Sequence, residues 1–442
     1  MRDILYTIIL VGLLPLILRS ARFGTYVWAW ISVMNPHKNT YGFAQSIPAA
    51  QVVALTTLAG LFFSRDRRPF PVSGITVVYL LLLLWMSFTS LFALNTPGVV
   101  LDRWVFVAKI HVMLFVTLML IRGREQIEPL VWVVTLSLAL YGVKGGVWTI
   151  LTGGGGRVFG PSAGMAADNN AFGLALVMLL PFLYYLFHVA ERRIVRYGVL
   201  FSLVTVPFAI LGTQSRGALL ALLAMATFLG LKGKRPLLTT TLLVCGVAAA
   251  ILFMPESWSG RMKTIENFDE DVSAMSRIYT WKTLWALAVD RPLVGGGFVV
   301  DTPQVFAVYA PAEGVGAYRG GSSAIYVAHS IYFQMLGEHG FPGLTLYVLL
   351  GYLTWRRATA LAKQTRNHPE YGSWVPLLMK MVQVSLAGFA VGGAFLSLAH
   401  FDVSYYVLSY VVLVDATLRE RQKASSPALA GSASPAIASH PT

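Results

Sequence analysis

Cysteine and charge are both scarce in this 442-residue chain. The single cysteine, Cys245, lies inside an apolar run, which excludes an internal disulfide and any metal site built from several cysteines. Only 12% of the residues are charged whereas 56% are hydrophobic, so an ordinary soluble globular protein is excluded. The chain also lacks a GxxxxGK[ST] phosphate-binding loop, so it has no recognisable site for ATP.

The dominant feature is a series of apolar runs, many of about 17 to 25 residues, the length an α-helix needs to cross roughly 30 Å of hydrocarbon. We therefore predict an all-α polytopic membrane protein with about 12 transmembrane helices. The predicted helices cover residues 4–18, 48–63, 72–93, 104–121, 129–151, 169–189, 196–212, 217–231, 236–253, 329–355, 374–397 and 402–417. A further segment, 22–34, is too short to cross upright.

One long polar segment, 254–328, divides the chain. Residues 1–253 hold the first nine predicted helices and the short segment 22–34. Residues 254–328 form a predicted periplasmic loop domain, and residues 329–417 hold the last transmembrane helices. The remaining residues, 418–442, are predicted to form a disordered cytoplasmic tail, since much of this stretch is Ala, Ser and Pro.

Basic residues are concentrated in alternate linkers, and this pattern predicts the orientation of the chain in the membrane. They concentrate in the linkers 64–71, 122–128, 190–196, 232–235, 356–372 and 418–423. The other short linkers contain only Arg103, Arg157 and Arg216, so the positive-inside rule places these linkers and the 254–328 loop on the outer side. The net charge of +14 is spread over short turns beside anionic lipid rather than along one groove, which argues against nucleic-acid binding.

Three arginines on the predicted outer side are candidate binding residues. Arg216, in LGTQSRGALLALL, lies at the interface, where an arginine costs a few kcal/mol unless it reaches water or has a partner. It is either a snorkelling arginine or an anion ligand. Arg157 follows a run of glycines that could form an anion-binding nest or a flexible turn. Arg277 lies in SRIYTWKTLWALAVD, a predicted amphipathic helix that could rest on the membrane and direct Arg277 inward.

Two acidic segments on the same side have simpler explanations. The stretch ENFDED at 266–271 lacks a DxD spacing and a nearby histidine, so it predicts a solvated surface rather than a metal site. Asp168, Asn169 and Asn170 precede a predicted helix, where capping of its N-terminus explains them. The sequence therefore predicts no metal ligands.

His329 begins an apolar run directly after the long polar segment. Alone, such a histidine can cap a helix or face water. Beside several arginines it can act as a base, because imidazole accepts a proton near neutral pH while guanidinium groups bind phosphate oxygens in a fork. This combination favours transfer chemistry on a lipid diphosphate.

Several ordered motifs carry a family resemblance. His329 to Gly337 form an H-x7-G pattern followed by GFPGL, and TQSRG and SRIYTW…DRPLVGGGF precede it. With these motifs the chain resembles the superfamily of O-antigen ligases (WaaL) and Wzy polymerases. Its N-terminal part, including WAWISVMNPHKNTYGFA, is similar to the ligase-like proteins associated with exosortase systems. Ser330 departs from the polymerase-like members, where asparagine is frequent at this position.

The resemblance implies a GT-C-like fold in the bacterial inner membrane, with the active site facing the periplasm. It implies a glycan donor carried on undecaprenyl-diphosphate and an acceptor sugar on lipid A-core, with no cofactor. By position, His329 is the expected base, Arg216 and Arg277 are the expected diphosphate ligands, Arg216 with a catalytic role, and Arg157 is an additional ligand.

Three alternatives to an O-antigen ligase remain. A Wzy-type polymerase would use the same donor with a second lipid-linked glycan as acceptor, and a protein O-oligosaccharyltransferase would glycosylate a protein hydroxyl. A transporter of lipid-linked glycans belongs to another class. The sequence disfavours it, because the ionisable residues lie at the outer boundary and no inverted repeat is evident.

Overall fold

The computed structural model describes residues 1–64, 67–232, 236–252, 254–256, 272–311, 327–368 and 372–430. These residues form helices joined by turns and loops, without a β-strand among them. The α-helices are α1 Arg2–Arg19, α2 Ala21–Met34, α3 Ala49–Phe63, α4 Gly74–Ser90, α5 Pro97–Leu120, α6 Arg124–Leu151, α7 Asn169–Val189, α8 Arg193–Gly212, α9 Arg216–Leu231, α10 Pro236–Leu252, α11 Val272–Asp290, α12 Pro303–Tyr309, α13 Ile331–Thr365, α14 Trp374–Gly393 and α15 Asp402–Ala430. Two 3₁₀-helices, Pro36–Asn39 and Phe43–Ser46, join α2 to α3.

The all-helical prediction is confirmed, and the helices lie where the apolar runs predict them. The main differences are at helix ends. Helix α13 continues to Thr365, ten residues past the predicted end, and α15 continues to Ala430. Residues 418–430 are thus helical, which corrects the predicted disorder there; the segment LRERQKA consists of good helix formers. Residues 431–442 lie outside the described residues.

The described helices include five that are long and apolar enough to cross a membrane, namely α5, α6, α7, α8 and α14. Three shorter helices, α3, α4 and α9, are also apolar. Large apolar side chains point outward from the fold, for example Leu80, Leu84 and Phe88 on α4. An apolar outer surface suits hydrocarbon rather than water, so the protein is a multi-pass membrane protein. The count of about 12 spans and the GT-C-like architecture stay predictions.

Helix α2 corresponds to the short predicted segment 22–34. Its 14 residues extend about 21 Å, less than the hydrocarbon thickness of about 30 Å. Ser20 separates it from α1, and the Ser20 hydroxyl accepts a hydrogen bond from the Phe23 N–H at 3.3 Å, so α2 begins as a separately capped helix. Most of its side chains are buried or half-buried against neighbouring helices.

Helices α7 and α15 form the centre of the bundle. Residues 402–418 of α15 are buried on every side, and α7 is buried over nearly all of its first 15 residues. A helix that is apolar all round has to be surrounded by others, which explains why these two runs show little amphipathic pattern. The N-terminal end of α7, which borders the candidate site described below, therefore belongs to the centre of the bundle.

Basic residues of several predicted inner linkers meet at one end of the bundle. Glu420 pairs with Arg122 at 3.0 Å and with Arg68 at 3.1 Å. Arg122 is almost completely buried and also donates to the Pro69 carbonyl at 3.2 Å. Part of the basic charge is thus used in interhelical ion pairs. Two of the predicted outer linkers also contact each other, since the Gln214 side chain donates to the Gly154 carbonyl at 3.4 Å. The orientation of the bundle in the membrane stays a prediction.

A kink in α13 positions the segment that follows α11. Gly340 has φ 67° and ψ −172°, so the helix bends there. A Cβ at Gly340 would lie 2.5 Å from the Leu293 carbonyl oxygen, so only glycine fits. Residues 292–297, PLVGGG, dock along the bend: Gly296 and Gly297 donate to the carbonyls of Gly337 and Glu338, both at 2.8 Å. The two glycine-containing motifs of the sequence thus form one packed unit.

Candidate active site

Three of the predicted site residues line a single cavity. Arg157, Arg216 and Arg277 surround about 140 Å³. The other lining residues are Asn169, Asn170, Gln214 and Gly217. Arg216 and Arg277 are half-buried and Arg157 is exposed. The cavity has room for several water molecules, and none of the described residues in its lining is acidic, so this described lining favours an anion.

The tight turn between α8 and α9 places Arg216. Gln214 adopts a left-handed conformation with φ 55°, and Ser215 caps α9 by accepting a hydrogen bond from the Ala218 N–H at 3.2 Å. Arg216 is then the first residue of α9. The Asn169 side-chain amide donates to the Thr213 carbonyl at 2.8 Å and so fixes the turn to the start of α7.

The glycine-rich linker between α6 and α7 brings Arg157 to the same place. The Val158 N–H donates to the Gly212 carbonyl at 2.9 Å, next to the α8–α9 turn. The Gln214 side chain donates to the Gly154 carbonyl at 3.4 Å. Both bonds hold the linker on the turn, so Arg157 borders the cavity although its own side chain remains exposed.

Two helix N-termini also open into the cavity. Asn169 and Asn170 begin α7, and Arg216 and Gly217 begin α9. Asp168 caps α7 by accepting hydrogen bonds from the N–H groups of Asn170 at 2.9 Å and Ala171 at 3.1 Å, which confirms the capping prediction. Helix N-termini carry partial positive charge and add to the three guanidinium groups. The cavity therefore combines three guanidinium groups with two helix N-termini, and the Asp168 carboxylate caps one of these helices.

Helix α11 supplies Arg277 and a neighbouring anchor. Trp281 lies one turn after Arg277, and its indole N–H donates to the Ala328 carbonyl at 2.7 Å. The Trp281 ring also stacks on Phe333 of α13, with 5.1 Å between centroids. These contacts pack α11 against the start of α13 instead of leaving it on the membrane surface. The same contacts hold α11 close to His329, the residue after Ala328. Arg277 therefore lies within electrostatic reach of the His329 imidazole.

His329 precedes α13 in a strained and specific conformation. Its φ of 45° lies in the left-handed region, and its N–H donates to the Ser397 hydroxyl at 2.7 Å. Burial and then the Arg277 guanidinium lower the pKa of His329 below its ordinary value, while the Asp168 carboxylate acts in the opposite direction. His329 does not line the arginine cavity itself, but it lies within electrostatic reach of Arg277 and of the α7 cap. A neutral imidazole at this edge can accept a proton.

An apolar groove of about 490 Å³ begins beside His329. Ile331 and Tyr332, the first residues of α13, line one end of it, and Tyr347, Leu386 and Leu408 line more of its wall. The groove runs between α13, α14 and α15, so a long hydrocarbon chain can lie there.

The acidic stretch 266–271, predicted from the sequence to be a solvated surface, lies outside the described residues. Sequence reasoning missed the cavity-lining role of Gln214 and of the two asparagines. The only signal for Gln214 was its position two residues before Arg216 in TQSRG.

A second polar cluster lies deeper in the bundle and was also missed. Glu338, His339 and His400 are buried, and one potential ligand atom from each lies within 4.8 Å of the others. Glu338 and His339 belong to α13, whereas His400 comes from the loop before α15, 61 residues after His339. No local spacing pattern joins residues so far apart, although glutamate beside histidine in GEHG was visible.

The fold and the cavity define a helical membrane protein with a cationic site next to an apolar groove. Residues 201–348 match the family described as O-antigen ligase, a stretch that contains Arg216, Arg277 and His329. This match supports placement in the superfamily of O-antigen ligases and Wzy polymerases, whose members act in glycan transfer. Residues 1–189 match a family of unknown function (DUF5935), so the exosortase-related similarity of the N-terminal part stays a prediction. No curated protein shows significant similarity to the chain.

Proposed function

We propose that this protein is an O-antigen ligase of the bacterial inner membrane with its active site facing the periplasm. It transfers a glycan en bloc from undecaprenyl-diphosphate to a sugar hydroxyl of lipid A-core. The observation that carries the proposal is the convergence of Arg157, Arg216 and Arg277 with two helix N-termini around one cavity, beside His329. The cavity suits a diphosphate, and the adjacent groove suits a polyprenyl chain.

His329 acts as the base in the proposed reaction. It takes the proton from the acceptor hydroxyl while the hydroxyl oxygen attacks the anomeric carbon of the glycan. The bond between that carbon and the diphosphate oxygen breaks, so the configuration inverts and undecaprenyl-diphosphate leaves with the bonding electron pair. The lowered pKa of His329 keeps the imidazole neutral and ready to accept a proton at physiological pH.

Arg216 and Arg277 stabilise the negative charge that grows on the leaving diphosphate, and Arg157 contacts it from the exposed side. Preorganised cations in a site with little water contribute several kcal/mol to such a step. They take the role that a divalent ion plays in other diphosphate chemistry, so the proposed transfer needs no metal ion at the diphosphate.

Transfer by the purified protein tests the proposal directly. We expect glycan-bearing lipid A-core when the protein is incubated with undecaprenyl-diphosphate glycan and lipid A-core in the presence of EDTA. The acceptors are compared in parallel: lipid A-core, a second lipid-linked glycan and a protein. A lengthened lipid-linked glycan would instead identify a polymerase, and a glycosylated protein an O-oligosaccharyltransferase. Movement of the donor across vesicles without any covalent product would identify a transporter.

The pH dependence of transfer tests the role of His329. Activity should fall on the acid side as His329 becomes protonated, with a midpoint below its ordinary pKa of 6.5, since burial and Arg277 lower that pKa. Removing the Arg277 charge in Arg277→Gln raises the pKa, so the acid limb moves to higher pH. Removing the Asp168 charge in Asp168→Asn lowers the pKa, so the limb moves to lower pH.

The measurement is the pH profile of kcat/KM for the wild type and both variants. Asparagine can still cap α7, so Asp168→Asn keeps the fold while it removes the charge. If the acid limb moves to higher pH in Arg277→Gln and to lower pH in Asp168→Asn, the base that titrates interacts with both groups, as His329 does. An acid limb that stays at the same pH in both variants would remove His329 from this role.

A further inference from the structure

The buried cluster of Glu338, His339 and His400 contains an imidazole nitrogen without a hydrogen-bond partner. His339 Nδ1 lies 2.7 Å from the Thr89 hydroxyl oxygen, which also lies 3.1 Å from the Met86 carbonyl oxygen. When the hydroxyl donates to that carbonyl, Nδ1 donates to the hydroxyl and Nε2 carries a lone pair. This Nε2 is completely buried and makes no hydrogen bond. The orientation of the ring is fixed by Thr89 rather than by the cluster.

The lone pair of His339 faces a carboxylate. His339 Nε2 lies 3.8 Å from Glu338 Oε2, and the same oxygen lies 2.9 Å from His400 Nε2. Two electron-rich atoms that face each other in a buried space repel unless a positively charged species lies between them. His400 Nδ1 is also buried without a hydrogen bond to any described residue, so the described part of the protein does not complete the bonding of this cluster.

The charged groups around the cluster are compatible with an additional cation. The Asp301 carboxyl, in the loop before α12, is half-buried and interacts electrostatically with Glu338. Its Oδ1 atom is buried and makes no hydrogen bond. Arg103 supplies a positive charge within electrostatic reach of Glu338. Among the described residues, two carboxyl groups therefore share this region with one guanidinium group.

We infer that Glu338, His339 and His400 bind one divalent transition-metal ion of the zinc class. Two imidazoles and a carboxylate are a common ligand set for Zn²⁺, which needs ligand atoms about 2.0–2.2 Å away and hence about 3.2–3.6 Å from one another. The distances of 2.9 and 3.8 Å within the cluster come near this arrangement after shifts of about half an ångström. Thr89 provides the hydrogen bond to the outer nitrogen of His339 that metal-bound histidines usually make.

The ion has a structural role at some distance from the proposed reaction. His339 lies two turns along α13, about 12 Å from Ile331. The loop 394–401 runs along these turns: Ser397 accepts from the His329 N–H, Ala399 donates to Gln334, and His400 reaches Glu338. A metal ion bound to both elements fixes this loop, including the residue that holds the backbone of His329. A buried ion exchanges slowly, so brief EDTA in a transfer assay leaves it in place.

Elemental analysis of the full-length protein tests the inference. Protein purified in detergent without a polyhistidine tag and loaded with Zn²⁺ should retain about one equivalent after desalting. His400→Gln keeps a hydrogen-bond donor for Glu338 but removes the ligand nitrogen, so it should retain less than about a tenth as much metal. His188→Gln, which changes an exposed histidine at the end of α7, is the matched control and should retain the wild-type amount.

Co²⁺ substitution provides a second measurement. Wild-type protein with Co²⁺ should show the visible absorption of a nitrogen- and oxygen-ligated ion, and it should unfold at higher temperature with the metal than without it. Wild-type protein at background metal content, or full retention in His400→Gln, would overturn the inference. The same metal measurements are made on His329→Asn, a variant expected to lose transfer activity. Because metal content is measured without any transfer assay, failure of the metal site and failure of the ligase assignment are distinguishable. If His400→Gln does not fold, the Co²⁺ spectrum of the wild type decides.

Discussion

Replacing His329 with asparagine is expected to lower the rate of glycan transfer by about 10²- to 10⁴-fold, the contribution of a positioned general base. Asparagine accepts a proton poorly, but it tolerates the left-handed backbone conformation of position 329 better than most residues. The hydrogen bond to Ser397 comes from the backbone and is retained. The rate loss should therefore reflect the missing base and not a displaced helix.

The measurement is single-turnover transfer to lipid A-core, together with membrane insertion and detergent elution profile. His188→Asn is the matched control because it makes the same change at an exposed histidine outside the site, and it should retain the wild-type rate. His329→Ala gives a second variant with the same expected loss. Transfer by His329→Asn at half the wild-type rate or more would show that another group removes the proton.

Arg216→Ala is expected to reduce kcat by about 10²- to 10³-fold, because in the proposed mechanism Arg216 stabilises charge that appears on the leaving diphosphate only during the reaction. Arg216→Lys keeps a positive charge but loses the planar fork that binds two phosphate oxygens, so its rate should lie between those of wild type and Arg216→Ala. Position 216 is the first residue of α9, and alanine is compatible with the helix there.

Arg193→Ala is the matched control, since Arg193 is also the first residue of a helix, is exposed, and lies at the opposite end of the α8–α9 hairpin. It should leave kcat unchanged. The kinetic pattern separates two roles: a change confined to KM would make Arg216 a ligand for the ground state alone. Wild-type kcat and KM in Arg216→Ala would exclude the arginine cavity as the diphosphate site.

Much of the helical framework could be predicted from the sequence, because an apolar run indicates a helix without any information about distant residues. Apolar runs identify helices such as α7 and α8, and the glutamine-serine-arginine turn marks the α8–α9 hairpin. The family motifs then select Arg216, Arg277 and His329, which the structure places around or beside one cavity. Arg157 is joined to them by a backbone hydrogen bond of Val158, a contact that no side-chain pattern could have indicated.

The deeper arrangement depends on contacts between distant segments. His400 reaches Glu338 only because the loop 394–401 runs beside α13, and apolar periodicity does not encode which loops touch. The sequence predicted an uninterrupted helix over 329–355, and the kink at Gly340 depends on a distant segment. The carbonyl groups of Pro292 and Leu293, which lie against Gly340, belong to the glycine segment after α11. The orientation of Arg277 likewise depends on the hydrogen bond from Trp281 to the Ala328 carbonyl.

The hydrogen bond between His329 and Ser397 joins residues that are 68 positions apart in the chain. Synthesis at about 5–20 residues per second puts Ser397 into the growing chain roughly 3 to 14 seconds after His329. Arg157 and Arg216 are made earlier still. The backbone of His329, the proposed base, can therefore be held by Ser397 only after the chain has been extended through the loop before α15.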